Sequence, residues 1–335
     1  MIIDDFREEE IQAIIALAEL TYPFENPNNN SYKPFPKNIV EAQTYFRRFS
    51  LELSEAFISL KSKGLVWKKN EEWFLTDLGK DISYKVRQLR PPIYYWYKDF
   101  YSAIEHSKTF SVFSTQVFGK NLDQHGFSDI NQIHKVLELV KLDKSSKVLD
   151  IGCGSGKIAE YITNVSQASV TGVDYVPEAI MPAITRTKDK RDRLCFKLGN
   201  LEDMDFQKES FDLILSIDSI YFVDTKDALS KWNRLLKLAG KMAVFYLDMN
   251  GGDLTVPLKD GNFFFVTYDI SKENYEHMQL KHRIAGDLKE SFEEEGNAFI
   301  WKNLMAESVA STDPYDPTRT SIRRYLYIVS KNSQQ

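Results

Sequence analysis

The residues best placed to do chemistry lie between Lys147 and Ile162, K-V-L-D-I-G-C-G-S-G-K-I-A-E-Y-I. Val148, Leu149 and Ile151 make the short apolar run of a buried parallel strand. Gly152, Gly154 and Gly156 follow at alternate positions, then Ile158, Ala159 and Ile162 at helical spacing. Strand, glycine turn and helix start form a cradle where a ligand can touch backbone and meet the positive end of a helix dipole. Asp150 stands beside the turn, where a carboxylate repels a pyrophosphate and suits a positively charged ligand. A dinucleotide fingerprint needs its third small residue three places after the second. Lys157 occupies that place, which disfavours a nicotinamide oxidoreductase. Twenty-four residues after Asp150, Asp174 closes a second strand, A-S-V-T-G-V. An acid there accepts both hydroxyls of a ribose, and Tyr175 beside it is placed to lie against an adenine.

The string L-D-I-G-C-G-S-G resembles motif I of the class I S-adenosylmethionine-dependent methyltransferases. The resemblance covers roughly residues 110–330. It implies an α/β fold with a doubly wound, mostly parallel, seven-stranded Rossmann-like sheet, and S-adenosylmethionine as cofactor with no metal. Its cofactor contacts would be Asp150, Gly152, Cys153, Gly154 and Gly156, with Asp174 and Tyr175. In G-N-L-E-D-M-D-F after the third strand, the resemblance assigns Asn200 to the adenine amino group and the Leu201 N–H to a ring nitrogen. The fourth strand, F-D-L-I-L-S-I, ends in D-S-I-Y-F-V, where cofactor and methyl acceptor meet in this fold. Ser216, Asp218 and Tyr221 are the candidates there.

Upstream, V-F-G and Q-H-G-F resemble a lid of small-molecule N- and C-methyltransferases, marking Phe118, Gly119, Gln124, His125, Gly126 and Phe127. Methyl transfer is an in-line displacement on a good leaving group, so the protein mainly aligns and desolvates its partners. An amine, phenol or carbon acid must also lose or lack a proton. His125 and Asp218 are the candidate bases, and Tyr221 would orient the acceptor. The resemblance implies a small-molecule acceptor reacting at N, O or C. Adenine or cytosine N-methylation is disfavoured, because D-S-I-Y stands where an N-P-P-Y-type tetrad would be. Cys153 lies inside the turn with no histidine nearby in sequence and reads as a small turn residue.

The elements that position these residues follow in order. Strands are expected over 194–198, 211–217 and 242–247, with L-K-L-A-G before the last as a turn. A strand over 262–266, a long helix over 270–295 and two closing strands over 299–301 and 324–330 complete the sheet. Before motif I, residues 91–140 read as an aromatic helical connector and lid. Tyr94, Tyr95, Trp96, Tyr97, Phe100 and Tyr101 cannot share one helical face. They fit either a helix wedged between domains or a wall of the acceptor pocket.

Residues 1–90 read as a separate domain, with helices over 5–20, 38–49 and 51–63 and then a hairpin around K-K-N-E-E. That order resembles a winged helix, so a ligand-sensing transcription regulator is the alternative function. The first 90 residues hold 13 basic and 14 acidic side chains. A DNA reader needs a clustered basic excess, so the expected role is dimerisation or covering the pocket of the catalytic domain over 141–335.

The whole chain of 335 residues has a formal net charge of −5, which gives no nucleic-acid footprint. It has no apolar run long enough to span a membrane and no basic-then-apolar leader. Two cysteines fit a reducing cytoplasm.

Overall fold

The structure is a computed structural model describing residues 5–21, 37–38, 53–70, 72–89, 94–201, 204–248 and 252–331. The chain divides into two units, Met1–Asp99 and Phe100–Gln335. The division falls after Asp99, within the stretch read as the connector. The reason is local: Phe100 is fully buried and packs edge-on against Tyr101 at 5.2 Å and Phe110 at 5.3 Å.

The first unit holds α1 (Glu8–Thr21), β1 (Lys37–Asn38), α2 (Leu53–Ser62), β2 (Val66–Lys69), β3 (Glu72–Leu75) and α3 (Asp77–Leu89). Its sheet has the order β1-β3-β2, antiparallel throughout. The helix expected over 38–49 lies outside the described residues. Ile14, Ala18, Phe57, Leu60, Trp73 and Leu75 share one core, with Phe57 stacked on Trp73 at 5.2 Å. Glu10 is buried at the edge of this core and paired with Lys63 at 2.9 Å.

In the second unit, helix α4 (Tyr94–Ile104), which begins in the first unit, leads to α5 (Lys108–Phe118) and α6 (Ile130–Val140). Then come β4 (Lys147–Ile151), α7 (Lys157–Ser166), β5 (Ser169–Asp174), α8 (Pro177–Arg186), β6 (Leu194–Leu198) and β7 (Phe211–Ile217). The remainder is α9 (Thr225–Leu235), β8 (Leu236–Asp248), α10 (Thr255–Asp260), β9 (Phe264–Asp269), α11 (Ser271–Asp287), α12 (Lys289–Glu294), α13 (Ala298–Ala306) and β10 (Arg323–Ser330). The seven strands run β6-β5-β4-β7-β8-β10-β9, parallel from β6 to β8, with β10 antiparallel to both its neighbours.

Period-two alternation builds the double winding. Val148, Leu213, Leu215, Ala243, Phe245, Leu326 and Ile328 face one core with Ile133, Ala159 and Ile162 of the helices. Their chain neighbours Leu149, Ile214, Met242, Val244, Tyr327 and Val329 face the other, with Leu229 and Trp232. Strand order reverses between β4 and β7, and the crevice at that switch point is where open α/β sheets bind ligands.

Three local expectations change. L-K-L-A-G forms the start of the 13-residue β8, and a register shift between Phe211 and Leu213 absorbs it. The helix over 270–295 breaks at Leu288 into α11 and α12. Phe299–Ile300–Trp301 is helical, because Ile300 and Leu304, four apart, bury one face of α13.

Candidate active site

The glycine turn joins β4 to α7. Gly152, Gly154 and Gly156 all have positive φ, at 71°, 54° and 72°. Space also demands glycine: a Cβ on Gly154 would stand 2.3 Å from the Tyr101 hydroxyl, and one on Gly156 2.2 Å from the Phe196 ring. The N–H groups of Gly152 and Cys153 donate to Val173 O at 2.8 and 3.1 Å, lashing the turn to β5.

Asp150 and Asp174 come together under this turn, 2% and 6% exposed. Asp174 accepts from Gly154 N–H through Oδ2 at 2.9 Å and from Val176 N–H through Oδ1 at 3.0 Å. Oδ2 of Asp150 is buried with no hydrogen-bond partner among the described residues. Burial, and then the charge of Asp174, push the Asp150 carboxyl up to about 7. Burial also raises Asp174 to about 6, against backbone donors that pull it down. Burial raises the Cys153 thiol, and both carboxylates add to that, so Cys153 is no thiolate nucleophile.

A cleft opens over the turn. Asp150, Gly152, Cys153, Gly154, His125 and Asp218 are among its lining residues, so residues remote in sequence meet there. Burial pulls the His125 imidazole down, against the pull of Glu307, so the ring is neutral at pH 7.

The loop carrying His125 is strongly held. Gly119, Asp123 and Gly126 have positive φ. Lys157 Nζ pairs with Asp123 at 2.8 Å, and Phe127 N–H donates to Asp218 Oδ2 at 3.0 Å. Arg324, 0% exposed on β10, grips Asp218 with Nη1–Oδ1 at 2.8 Å and Nη2–Oδ2 at 3.0 Å and donates to Ser128 Oγ at 2.7 Å. Lys281 Nζ lies 5.0 Å and Arg324 Cζ 5.4 Å from the centroid of the Phe127 ring. Helix α5 is just as fixed: Phe110, Phe113 and Phe118 are buried, and Glu295 accepts from Ser107 Oγ, Thr109 N–H and Thr109 Oγ1.

Several expected roles change in this geometry. Asp218 lines the cleft, but its carboxylate is neutralised by Arg324 and occupied by Phe127, which removes it as a base. Tyr221 is not among the described lining residues; its hydroxyl accepts from Leu247 N–H, and burial drives its ionisation far above neutral pH. Ser216 is wholly buried, with Oγ 2.8 Å from Ser219 Oγ, which in turn donates to Ile151 O at 2.7 Å. It braces the turn from below and is not among the described lining residues either. Tyr175 and Asn200 are half-buried just after β5 and β6, and Leu201 is buried in the core that holds Val173. Reading the sequence alone missed Arg324, Lys281, Asn303 and Glu307, which carry no motif and reach the loop only through the fold.

No group of three or more His, Cys, Asp or Glu among the described residues could hold a metal ion. No helix among them is long and apolar enough to cross a membrane.

Residues 149–244 match the family described as a methyltransferase domain. The ubiquinone/menaquinone biosynthesis C-methyltransferase UbiE of Citrifermentans bemidjiense is 32% identical over 110 residues, 31% of this chain and 47% of that protein. The methyltransferase GfsG of Streptomyces halstedii is 28% identical over 120 residues, 35% of this chain and 43% of that protein. The phosphoethanolamine N-methyltransferase of Plasmodium falciparum is 29% identical over 131 residues, 38% of this chain and 46% of that protein. These matches thus span under half the length of each of these relatives. Among solved structures, a Haemonchus contortus phosphoethanolamine N-methyltransferase 2 shares the fold with TM-score 0.53 at 20% identity, over 70% of this chain and 60% of that one. Sheet order and glycine turn agree with the match, and residues 149–244 form a methyltransferase domain within the second unit.

Proposed function

We propose that this chain binds S-adenosylmethionine in the cleft over the glycine turn and transfers its methyl group to a small-molecule acceptor at N, O or C. The observation that carries the reading is the pair of buried carboxylates, Asp150 and Asp174, under a turn of three left-handed glycines. Two acids raised to about 7 and 6 by burial are an unfavourable arrangement unless a ligand compensates them. A cationic nucleoside fits that need, and Asp150 Oδ2 has unused acceptor capacity for it.

When bound, the cofactor supplies an electrophilic methyl group on a positively charged sulfur. The protein's own residues would do the rest. Asp174 would accept from the ribose hydroxyls, and Tyr175, Asn200 and the Leu201 N–H would meet the adenine. The Gly152–Gly156 turn lets the ligand approach the backbone, and the dipole of α7 faces the same space. His125, neutral and lining the cleft, would take a proton from an acceptor that carries one. A lid over residues 110–127 would have to release both the Glu295 contacts at the start of α5 and the Asp218–Phe127 and Lys157–Asp123 contacts of the loop. Ile58 and Trp67, 64% and 44% exposed in the first unit, support a homodimer formed through residues 1–90. Titration of the full chain with S-adenosylmethionine and S-adenosylhomocysteine tests the binding. Methyl transfer to amine, phenol and carbon-acid panels tests the activity.

A further inference from the structure

His125 is held by a chain of polar groups from the helices inserted between β9 and β10. Its Nε2 lies 3.0 Å from Asn303 Oδ1 and 3.7 Å from Glu307 Oε1. Asn303 Nδ2 donates to Glu307 Oε1 at 3.3 Å, and Glu307 Oε2 accepts from Lys281 Nζ at 3.1 Å. The His125 side chain is 9% exposed and that of Lys281 is 1% exposed. Phe100 packs on the imidazole with ring centroids 5.1 Å apart.

The direction of this chain is fixed by its charged end. An ionised carboxylate only accepts hydrogen bonds. Burial acts to raise the Glu307 carboxyl, but His125 and Lys281 outweigh it and hold the group below its ordinary value, ionised at neutral pH. Asn303 must therefore turn its NH₂ toward Glu307 and its carbonyl toward His125. A carbonyl accepts, so Nε2 must carry the hydrogen and Nδ1 the lone pair. His134 lacks such a constraint: its Nε2 meets the Tyr161 hydroxyl at 2.6 Å, and a hydroxyl serves as donor or acceptor.

We propose that Glu307 and Asn303 are positioning residues that fix His125 as the Nε2–H tautomer, making Nδ1 the nitrogen that takes the acceptor's proton. The proton-transfer half rests on the function proposed above; the tautomer half does not. In the step itself, the acceptor's N–H, O–H or C–H bond breaks and an Nδ1–H bond forms. The electron pair left on the acceptor would make the new bond to the methyl group, and the pair of the broken sulfur–methyl bond would stay on the sulfur, which leaves as a neutral thioether. Among the described residues, the charged groups that act on the ring include Glu307 at the end of α13, Lys281 on α11 and Asp218 after β7.

The test is a long-range ¹H–¹⁵N spectrum of the full chain labelled with ¹⁵N-histidine, without cofactor, at a pH where the rings are neutral. His125 is assigned by its loss in His125→Asn. The wild-type spectrum should show His125 as Nε2–H. The double variant Asn303→Leu, Glu307→Leu should convert it to a mixture or to Nδ1–H, with the signals of His134 unmoved as a check on folding. Asn303→Asp keeps an acceptor opposite Nε2 and adds a charge near the ring. It should preserve Nε2–H and raise the His125 titration midpoint by about one pH unit or more. Asn303→Leu should also lower kcat by roughly 10–100-fold, the usual scale for a partner behind an active group, with cofactor affinity unchanged. A wild-type His125 in the Nδ1–H form, or a folded double variant that keeps Nε2–H, overturns the proposal, and the wild-type spectrum decides even if the variant fails to fold. If the tautomer is as expected and no acceptor is methylated, the functional reading fails and the tautomer assignment stands.

Discussion

Arg324 and Asp218, 106 residues apart in sequence, form a buried bidentate ion pair at 2.8 and 3.0 Å, with side chains 0% and 7% exposed. The pair joins the last strand of the sheet to the exit of β7, and through Phe127 N–H and Ser128 Oγ it clamps the loop that carries His125. The Gly126 backbone is pressed against the same carboxylate: a Cβ there would lie 2.7 Å from Asp218 Oδ2. What the sequence offers as a base is therefore a structural anion.

Removing one partner should cost far more than removing both. Arg324→Met leaves Asp218 buried and unpaired and should destabilise the chain by about 3–5 kcal/mol in urea unfolding. Asp218→Asn in the same background should restore part of that loss. Equal destabilisation in the single and double variants would mean that the pair is not what holds the loop.

The carboxylate pair under the glycine turn predicts opposite pH trends for stability and binding. Asp150 and Asp174 titrate at about 7 and 6 in the folded chain, above the ordinary aspartate value. Their contribution to stability is therefore complete below the unfolded pKa and is lost as pH rises through 6–7. Thermal unfolding without ligand should show a lower Tm at pH 8 than at pH 5.5 from this source. Asp150→Asn should flatten that slope and stabilise the ligand-free chain at pH 8 by at most about 4 kcal/mol. The same variant should bind S-adenosylmethionine more weakly, and wild-type affinity should rise from pH 5.5 to 8. A variant no more stable than wild type at pH 8 contradicts the burial argument.

The first unit should not bind duplex DNA. Its basic and acidic side chains nearly balance, and Lys63 is committed to the buried Glu10. Fluorescence anisotropy of the full chain with mixed-sequence duplexes at about 50 mM salt should show no tight binding. Strong binding that weakens steeply with salt would assign this unit a phosphate-reading surface instead.

The legible part of this protein is the part written locally. Asp150, the three glycines and the start of α7 occupy one strand–turn–helix, so type and spacing revealed them. Asp174 stands beside the turn because a βαβ unit sets the distance between successive strand ends. Nothing local marks Arg324 or Asn303, which lie 106 and 178 residues from their partners; Arg324 meets its partner from β10, inserted between β8 and β9, and Asn303 from helix α13. Asp218 and Tyr221 follow β7, but their partners Arg324 and Leu247 decide their chemistry and come from other strands. Phe299–Trp301 was misread because three apolar residues cannot distinguish a strand from a helix; the burial of Leu304, four residues beyond Ile300, decides it.

The central claim is that the cleft over Asp150 and Asp174 binds S-adenosylmethionine, and calorimetric titration of wild-type chain and Asp174→Ala tests it most directly. Wild type should bind the cofactor. Asp174→Ala should lose the charged ribose hydrogen bonds, on the order of 2–3 kcal/mol or ~30–150-fold in affinity. Absence of binding by the folded wild type, or equal affinity in the two proteins, would contradict the account.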